Sequence, residues 1–121
     1  MDRIYHIATT ADWRRAQRDG EYVTSTTGRT LAEEGFIHAS TAAQVADVAN
    51  RYYRGVADDL VVLVIDLGRL RSPLRYEHVP GAGEPFPHIY GPLNADAVLA
   101  ARPFSPNPDG TFTFTPDPPM P

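Results

Sequence analysis

Cysteine is absent from the 121 residues, which excludes disulfides, thiolate chemistry and any cysteine-ligated metal. Lysine is absent too. All eleven positive side chains are arginine, so neither a lysine Schiff base nor an amine base is available. Long apolar runs are missing: the longest, Leu60 to Ile65, is far too short to span a bilayer. The opening Met1-Asp2-Arg3-Ile4 lacks the apolar stretch of a signal peptide. A cytoplasmic protein with no membrane partner is therefore expected. An excess of positive charge is also lacking. The net charge of -4 argues against a surface that coats nucleic acid, while leaving room for a local basic pocket. Pro80-Gly81-Ala82-Gly83-Glu84-Pro85 is rich in turn formers, but it lacks the lysine and terminal hydroxyl of a phosphate loop.

What is present suits a folded chain with one core. Hydrophobic residues make up 42% and charged residues 21%, a balance that folds rather than stays disordered. One domain is expected over residues 1–115, followed by a proline-rich mobile tail, 116–121.

Three of the four histidines stand among large apolar residues: Ile4-Tyr5-His6-Ile7, Gly35-Phe36-Ile37-His38-Ala39-Ser40, and Phe86-Pro87-His88-Ile89-Tyr90-Gly91. An imidazole so placed is partly desolvated and short of water partners. Each one alone reads as a core histidine bonded to backbone. Three on separate strands read as a candidate site, because titratable groups that cluster at a pocket mark function.

The local patterns place these residues on elements. Ile4 to Ala8 reads as a strand. Thr9 or Thr10 caps a helix reaching about Asp19, with Trp13 and Ala16 on one face and Gly20 as its stop. Glu21 to Thr24 reads as a short strand and Ser25 to Arg29 as an exposed loop. Thr30-Leu31-Ala32-Glu33 has capping-box spacing, and Gly35 closes that turn. Phe36 to Ala39 is the strand bearing His38, after which Ser40 or the Thr41–Gln44 box caps a helix whose apolar face is Val45, Val48, Ala49 and Tyr52, ending at Gly55. Asp47, Arg51 and Arg54 lie off that face.

Leu60 to Ile65 reads as a central strand buried on both sides. Leu74 to Val79 alternates, with Arg75 and Glu77 on one side and Leu74 and Tyr76 on the other. His88 to Tyr90, Ala97 to Phe104, and Phe112 with Phe114 complete a strand-rich second half, the last as an edge strand. Helices early and strands late predict an α+β fold.

Three histidines could hold zinc, but no two have the short spacing of a helical or hairpin metal site, and no metal is assigned. A serine nucleophile beside His38 has no elbow signature around it.

These motifs, together with Trp13, Gly20, Gln44-Val45, Val64-Ile65-Asp66 and Pro92-Leu93, resemble the bacterial family called domain of unknown function 952, over about residues 3 to 104. That family looks like a compact relative of the ADP-ribosyltransferase fold: small split β-sheets, here with two main helices, holding NAD in the cleft between them. The resemblance implies His6, His38 and His88 as catalytic residues. It implies His6, Ser40 and Tyr90 as residues that bind the cofactor, NAD, while Arg51, Arg54 and Arg75 are arginines whose forks could bind its diphosphate, Arg51 and Arg75 being the two expected to do so. His6 would hold ribose hydroxyls, His38 would line the nicotinamide side, and His88 with Tyr90 would close the third wall. That segment has no glutamate where such enzymes usually carry one, and resembles instead the histidine branch that includes RNA 2′-phosphotransferases. The expected activity is transfer of ADP-ribose or processing of a phosphorylated substrate, a phosphorylated RNA end among them. The alternative is a non-catalytic ligand- or protein-binding module with structural histidines. A nucleotide site requires the three imidazoles to open on one cleft, several ångströms apart, with Arg51 or Arg75 at the rim.

Overall fold

The uninterrupted apolar run forms the strand Leu60–Asp66, and all seven of its residues are buried. A computed structural model describes residues 2–26 and 28–116. In chain order the elements are β1 (Arg3–Thr9), α1 (Thr10–Asp19), β2 (Glu21–Tyr22), β3 (Thr24–Thr26), β4 (Arg29–Thr30), α2 (Leu31–Glu34), β5 (Ile37–His38), α3 (Val45–Tyr52), β6 (Leu60–Asp66), β7 (Leu74–Glu77), β8 (Phe86–Ile89), β9 (Leu93–Asn94) and β10 (Val98–Phe104), with a 3-10 turn at Ala95–Ala97. Among the described residues the fold is mixed α/β, with three helices and several small antiparallel sheets. The expected tail, 116–121, lies outside the described residues from position 117 onward.

Two three-stranded sheets carry the architecture. In the first, β6 lies between β1 and β10, with Ile4 opposite Ile65 and His6 opposite Leu63. Its two faces feed separate apolar clusters. Ile4, Ala8, Leu63 and Ile65 pack with Ile37, Ile89 and Leu93; Tyr5, Ile7, Val62 and Val64 pack with Val45 and Ala49 of α3. Burial on both faces explains why β6 shows no alternation in its sequence. In the second sheet, β8 lies between β5 and β7. Ile37 and Ile89 are paired and face the core, and so His38 and His88, the next pair, share the opposite face.

The helix signals act as expected. The Thr9 side chain accepts from Asp12 N, and Gly20 adopts φ 85° and closes α1 on the Ala16 carbonyl. Thr30 and Glu33 form a full capping box around α2. Thr30→Ala is expected to lower stability by about 1 kcal/mol, readable as a shift in urea midpoint at unchanged slope.

Four expectations are corrected. Ser40 caps no helix; its backbone pairs with Tyr5 in both directions, at 2.8 and 2.7 Å. Helix α3 starts only at Val45 and ends at Tyr52, before Gly55; Gln44 returns its side chain to Thr41 N at 3.0 Å, within a turn rather than a helix. Within the expected loop from Ser25 to Arg29, Gly28 and Arg29 are exposed, but Ser25 and Thr26 belong to β3 and Arg29 to β4. These two strands pair, and Ser25 is fully buried, donating its hydroxyl to the Phe36 carbonyl. Phe112 and Phe114 form no strand. The Asn50 side chain instead donates to the Phe112 carbonyl at 3.0 Å and accepts from its N–H at 2.7 Å, doing the work of a β partner. Among the described residues no helix is long and apolar enough to cross a membrane.

Candidate functional site

The β1–Ser40 bridge holds the chain between β5 and α3 against the first sheet. A cleft of about 990 Å³ opens beside it. One wall is α3, which contributes Asp47, Asn50, Arg51 and Tyr52. The floor is His6, His38, Ala39 and Ser40, and the far wall is the loop after β7, with Gly81, Gly83 and Glu84. The breakers of that loop keep it out of both sheets and leave it free to border the cleft. Tyr52, expected on the apolar face of its helix, is 64% exposed and lines this cavity.

The three histidines sit in three different environments. His6 is 3% exposed. Its Nδ1–H donates to the His38 carbonyl, and its Nε2 accepts from the Tyr22 hydroxyl at 3.0 Å. Burial pushes its pKa down to about 4, against the raising effect of the carbonyl bond. His6 is therefore neutral at pH 7, with both nitrogens engaged inside the protein. The same burial pushes the Tyr22 phenol upward.

His38 has a side chain 41% exposed, and its Nε2 donates to Glu34 at 3.4 Å. Partial burial lowers its pKa despite that carboxylate. It is the imidazole that both lines the cleft and meets solvent.

His88 is 3% exposed and does not line the cleft. Phe36 stacks on it, ring centroids 4.2 Å apart, and the edge-on His38 ring is at 5.2 Å. Its Nδ1–H donates to Glu77 at 2.8 Å, and Tyr90 donates its hydroxyl to the same carboxylate oxygen. The bonds from Tyr90 and His88 hold the Glu77 carboxyl below the usual range, and the bond to Glu77 holds the Tyr90 phenol above its own. The Nε2 of His88 is buried and has no hydrogen-bond partner.

The candidate residues thus divide. His6, His38, Ser40 and Arg51 border one cleft. His88, Tyr90 and Arg75 form a cluster behind His38, in which the Arg75 guanidinium lies 5.1 Å from the centre of the Tyr90 ring. Arg51, not Arg75, is the arginine on the cleft. Among the described residues no group of three or more histidine and carboxylate side chains converges as a metal site.

Sequence inspection missed Tyr22 and Phe36 as partners of the histidines, and noted Glu77 and Glu84 as the carboxylates nearest them without pairing Glu77 with His88. For Glu77 a signal existed: alternation along Leu74–Glu77 puts it on the face of Arg75, and Arg75 is the residue opposite His88. Without the register of β7 against β8 that signal points nowhere.

A family model described as "Protein of unknown function (DUF952)" matches residues 7–101. No curated protein matches the chain. Among solved structures, the X-ray crystal structure of protein CC0527 from Caulobacter crescentus is 31% identical, covers 93% of this chain and 94% of its own, and superposes with a TM-score of 0.79. The solution NMR structure of CC0527 is 32% identical over 92% of this chain and 91% of its own, with a TM-score of 0.71.

Proposed function

Because the chain belongs to the DUF952 family of proteins of unknown function, its activity has to be argued from its own cleft, and we propose that this cleft binds NAD or a related nucleotide in the manner of an ADP-ribosyltransferase-like domain. The observation that carries the proposal is the cavity itself. Its volume of about 990 Å³ suits a ligand of dinucleotide size, and polar groups of distinct chemistry converge on it.

Arg51 supplies a fork for a diphosphate. Tyr52 offers an exposed ring face for a base. His38 presents a neutral, half-exposed imidazole, and Ser40 lines the same cleft. His6, with both nitrogens engaged, serves by fixing the backbone of His38 rather than by holding a ribose hydroxyl. The transfer of ADP-ribose is the further step of the proposal. Breaking the N-glycosidic bond builds positive charge on the ribose, and Asp47 and Glu84 on the cleft walls supply carboxylates that the Pro87–Tyr90 segment lacks. One observation favours the alternative, a binding module without chemistry: the internal satisfaction of His6 is what a purely structural histidine shows.

Isothermal titration with NAD, ADP-ribose and ATP tests the binding. Arg51→Ala is expected to weaken the nucleotide that binds by about tenfold, the equivalent of losing one charge-assisted hydrogen bond. If none of the three ligands gives heat at millimolar concentration, the nucleotide assignment is wrong.

A further inference from the structure

His38 lines the cleft, and a chain of charged side chains stands behind its ring. Nε2–H of His38 donates to one oxygen of Glu34 at 3.4 Å, and the other oxygen of that carboxylate accepts from the Arg29 guanidinium at 2.7 Å. The placement follows from local sequence. The Thr30–Glu33 box starts the short helix α2, and Gly35, at φ 88°, ends it, so Glu34 is its last residue. His38 follows on β5, and Arg29 comes from β4, the strand before the helix. The ring itself is held by its neighbours. Phe36 meets it edge to face with centroids 4.7 Å apart, and His88 lies at 5.2 Å. His6 donates to the backbone carbonyl of the same residue. The bond to Glu34 keeps the proton on Nε2 and leaves the lone pair on Nδ1, which no hydrogen bond occupies among the described residues. Partial burial lowers the pKa of the ring, and the Glu34 carboxylate acts in the opposite sense. The other titratable and charged groups around it are His88 with its partner Glu77 on the second sheet, and Asp47, Arg51 and Glu84 on the cleft walls.

We propose that His38 is the general base of this cleft, and that Glu34, anchored by Arg29, sets its tautomer and steadies the imidazolium formed when it takes a proton. This inference rests on the nucleotide reading of that cleft. In the step, an O–H bond of water breaks as its proton goes to Nδ1 of His38. The water oxygen bonds to the anomeric carbon of the nicotinamide ribose. The C–N bond breaks, and its electron pair goes to the nicotinamide nitrogen. NAD and water thus give ADP-ribose, nicotinamide and one proton, which stays on His38 until it returns to solvent. While it is there, the positive charge of the ring lies beside the Glu34 carboxylate, and a hydrogen bond between two charged partners is stronger than one to a neutral ring. His38 is the catalytic residue of this scheme; Glu34 and Arg29 are positioning residues that act through it.

The test uses the full chain with NAD. Binding is followed by calorimetry and nicotinamide release by chromatography across pH 5 to 9. His38→Ala is expected to lower kcat on the order of 100-fold, the scale of a lost general base. Glu34→Gln keeps the shape of the side chain and removes its charge. It is expected to lower kcat about tenfold, the scale of one charge-assisted hydrogen bond, and to leave KM and the melting temperature unchanged. Because the carboxylate raises the pKa of His38, its removal should also move the acidic limb of the kcat profile to lower pH, which a merely structural role for Glu34 would not do. Arg29→Gln, at an exposed side chain, is expected to give a smaller fall in kcat at unchanged KM, and it keeps the proposal testable if Glu34→Gln does not fold. Binding of NAD without nicotinamide release overturns the dyad and leaves the nucleotide site standing. So does wild-type kcat in His38→Ala or Glu34→Gln, or in Arg29→Gln where Glu34→Gln does not fold. A Glu34→Gln protein in which kcat, KM and melting temperature change together, with the acidic limb unmoved, overturns it as well. Absence of NAD binding removes both.

Discussion

Replacing His6 by alanine is expected to destabilise the protein by about 3 kcal/mol. The substitution removes two hydrogen bonds at once and strands two buried partners, the His38 carbonyl and the Tyr22 hydroxyl. It also leaves a space beneath β5. The ring stands opposite Leu63, in the most buried strand of the fold. Urea denaturation reads the loss directly, and a variant within about 0.5 kcal/mol of wild type, the usual range for an inconsequential surface change, would show that the imidazole holds nothing.

The same residue gives a pH dependence with a definite sign. The pKa of His6 is depressed to about 4 in the folded state from 6.5, so the unfolded chain binds the extra proton first. The contribution is fully present above about pH 6.5 and is lost as pH falls from there towards 4, on the order of 3 kcal/mol in all. The His6→Ala variant should show a flatter stability curve across that window, and an equally steep one would place the titration elsewhere.

Asn50→Ala is the second large effect, expected to cost about 2–3 kcal/mol. One side chain supplies both an acceptor and a donor to the backbone of Phe112, at 2.7 and 3.0 Å. Its loss frees the segment that carries Phe112, buried against Phe104, and Phe114, packed edge-on to Tyr5. Hydrogen exchange at the Phe112 amide provides the local readout, and exchange should approach that of an open segment. Asn50→Asp retains the acceptor and loses the donor, and should fall between alanine and wild type. If alanine leaves the amide protected, the ring packing alone anchors the segment.

These two residues also mark how far the sequence could be read. Local rules located what is local. The Thr9 cap, the Gly20 stop and the Thr30–Glu33 box depend on neighbours within four positions, and a continuous apolar run such as Leu60–Ile65 has few other places to go. The histidines were visible as candidates because polar rings in apolar strands are unusual. Their partners were not, since Tyr22 is 16 residues from His6 and Asn50 is 62 from Phe112. Phe112 and Phe114 alternate with threonines as a strand would, and the pattern cannot tell a neighbouring strand from an asparagine that imitates one. Ser40 has the right chemistry for a helix cap, but the longer-range pairing with Tyr5 took its backbone first. In the candidate site, separating His88 from the cleft required the β5–β8–β7 register, which fixes the histidines of adjacent strands on one face and says nothing until those strands are known to be adjacent.

The first sheet ends after three strands, and its margins bear on how the protein behaves at high concentration. An open β edge is a template for a second chain. On the β1 side, Ser40 occupies the backbone of Tyr5 and interrupts that template. On the β10 side, the strand shifts register between Val98 and Ala100 and carries Arg102 and Pro103; a kink, a charge and a residue with no N–H all discourage a further strand from joining. A central strand as apolar as β6 favours edge-to-edge aggregation wherever a margin is left open, and neither margin of this sheet offers an unbroken template.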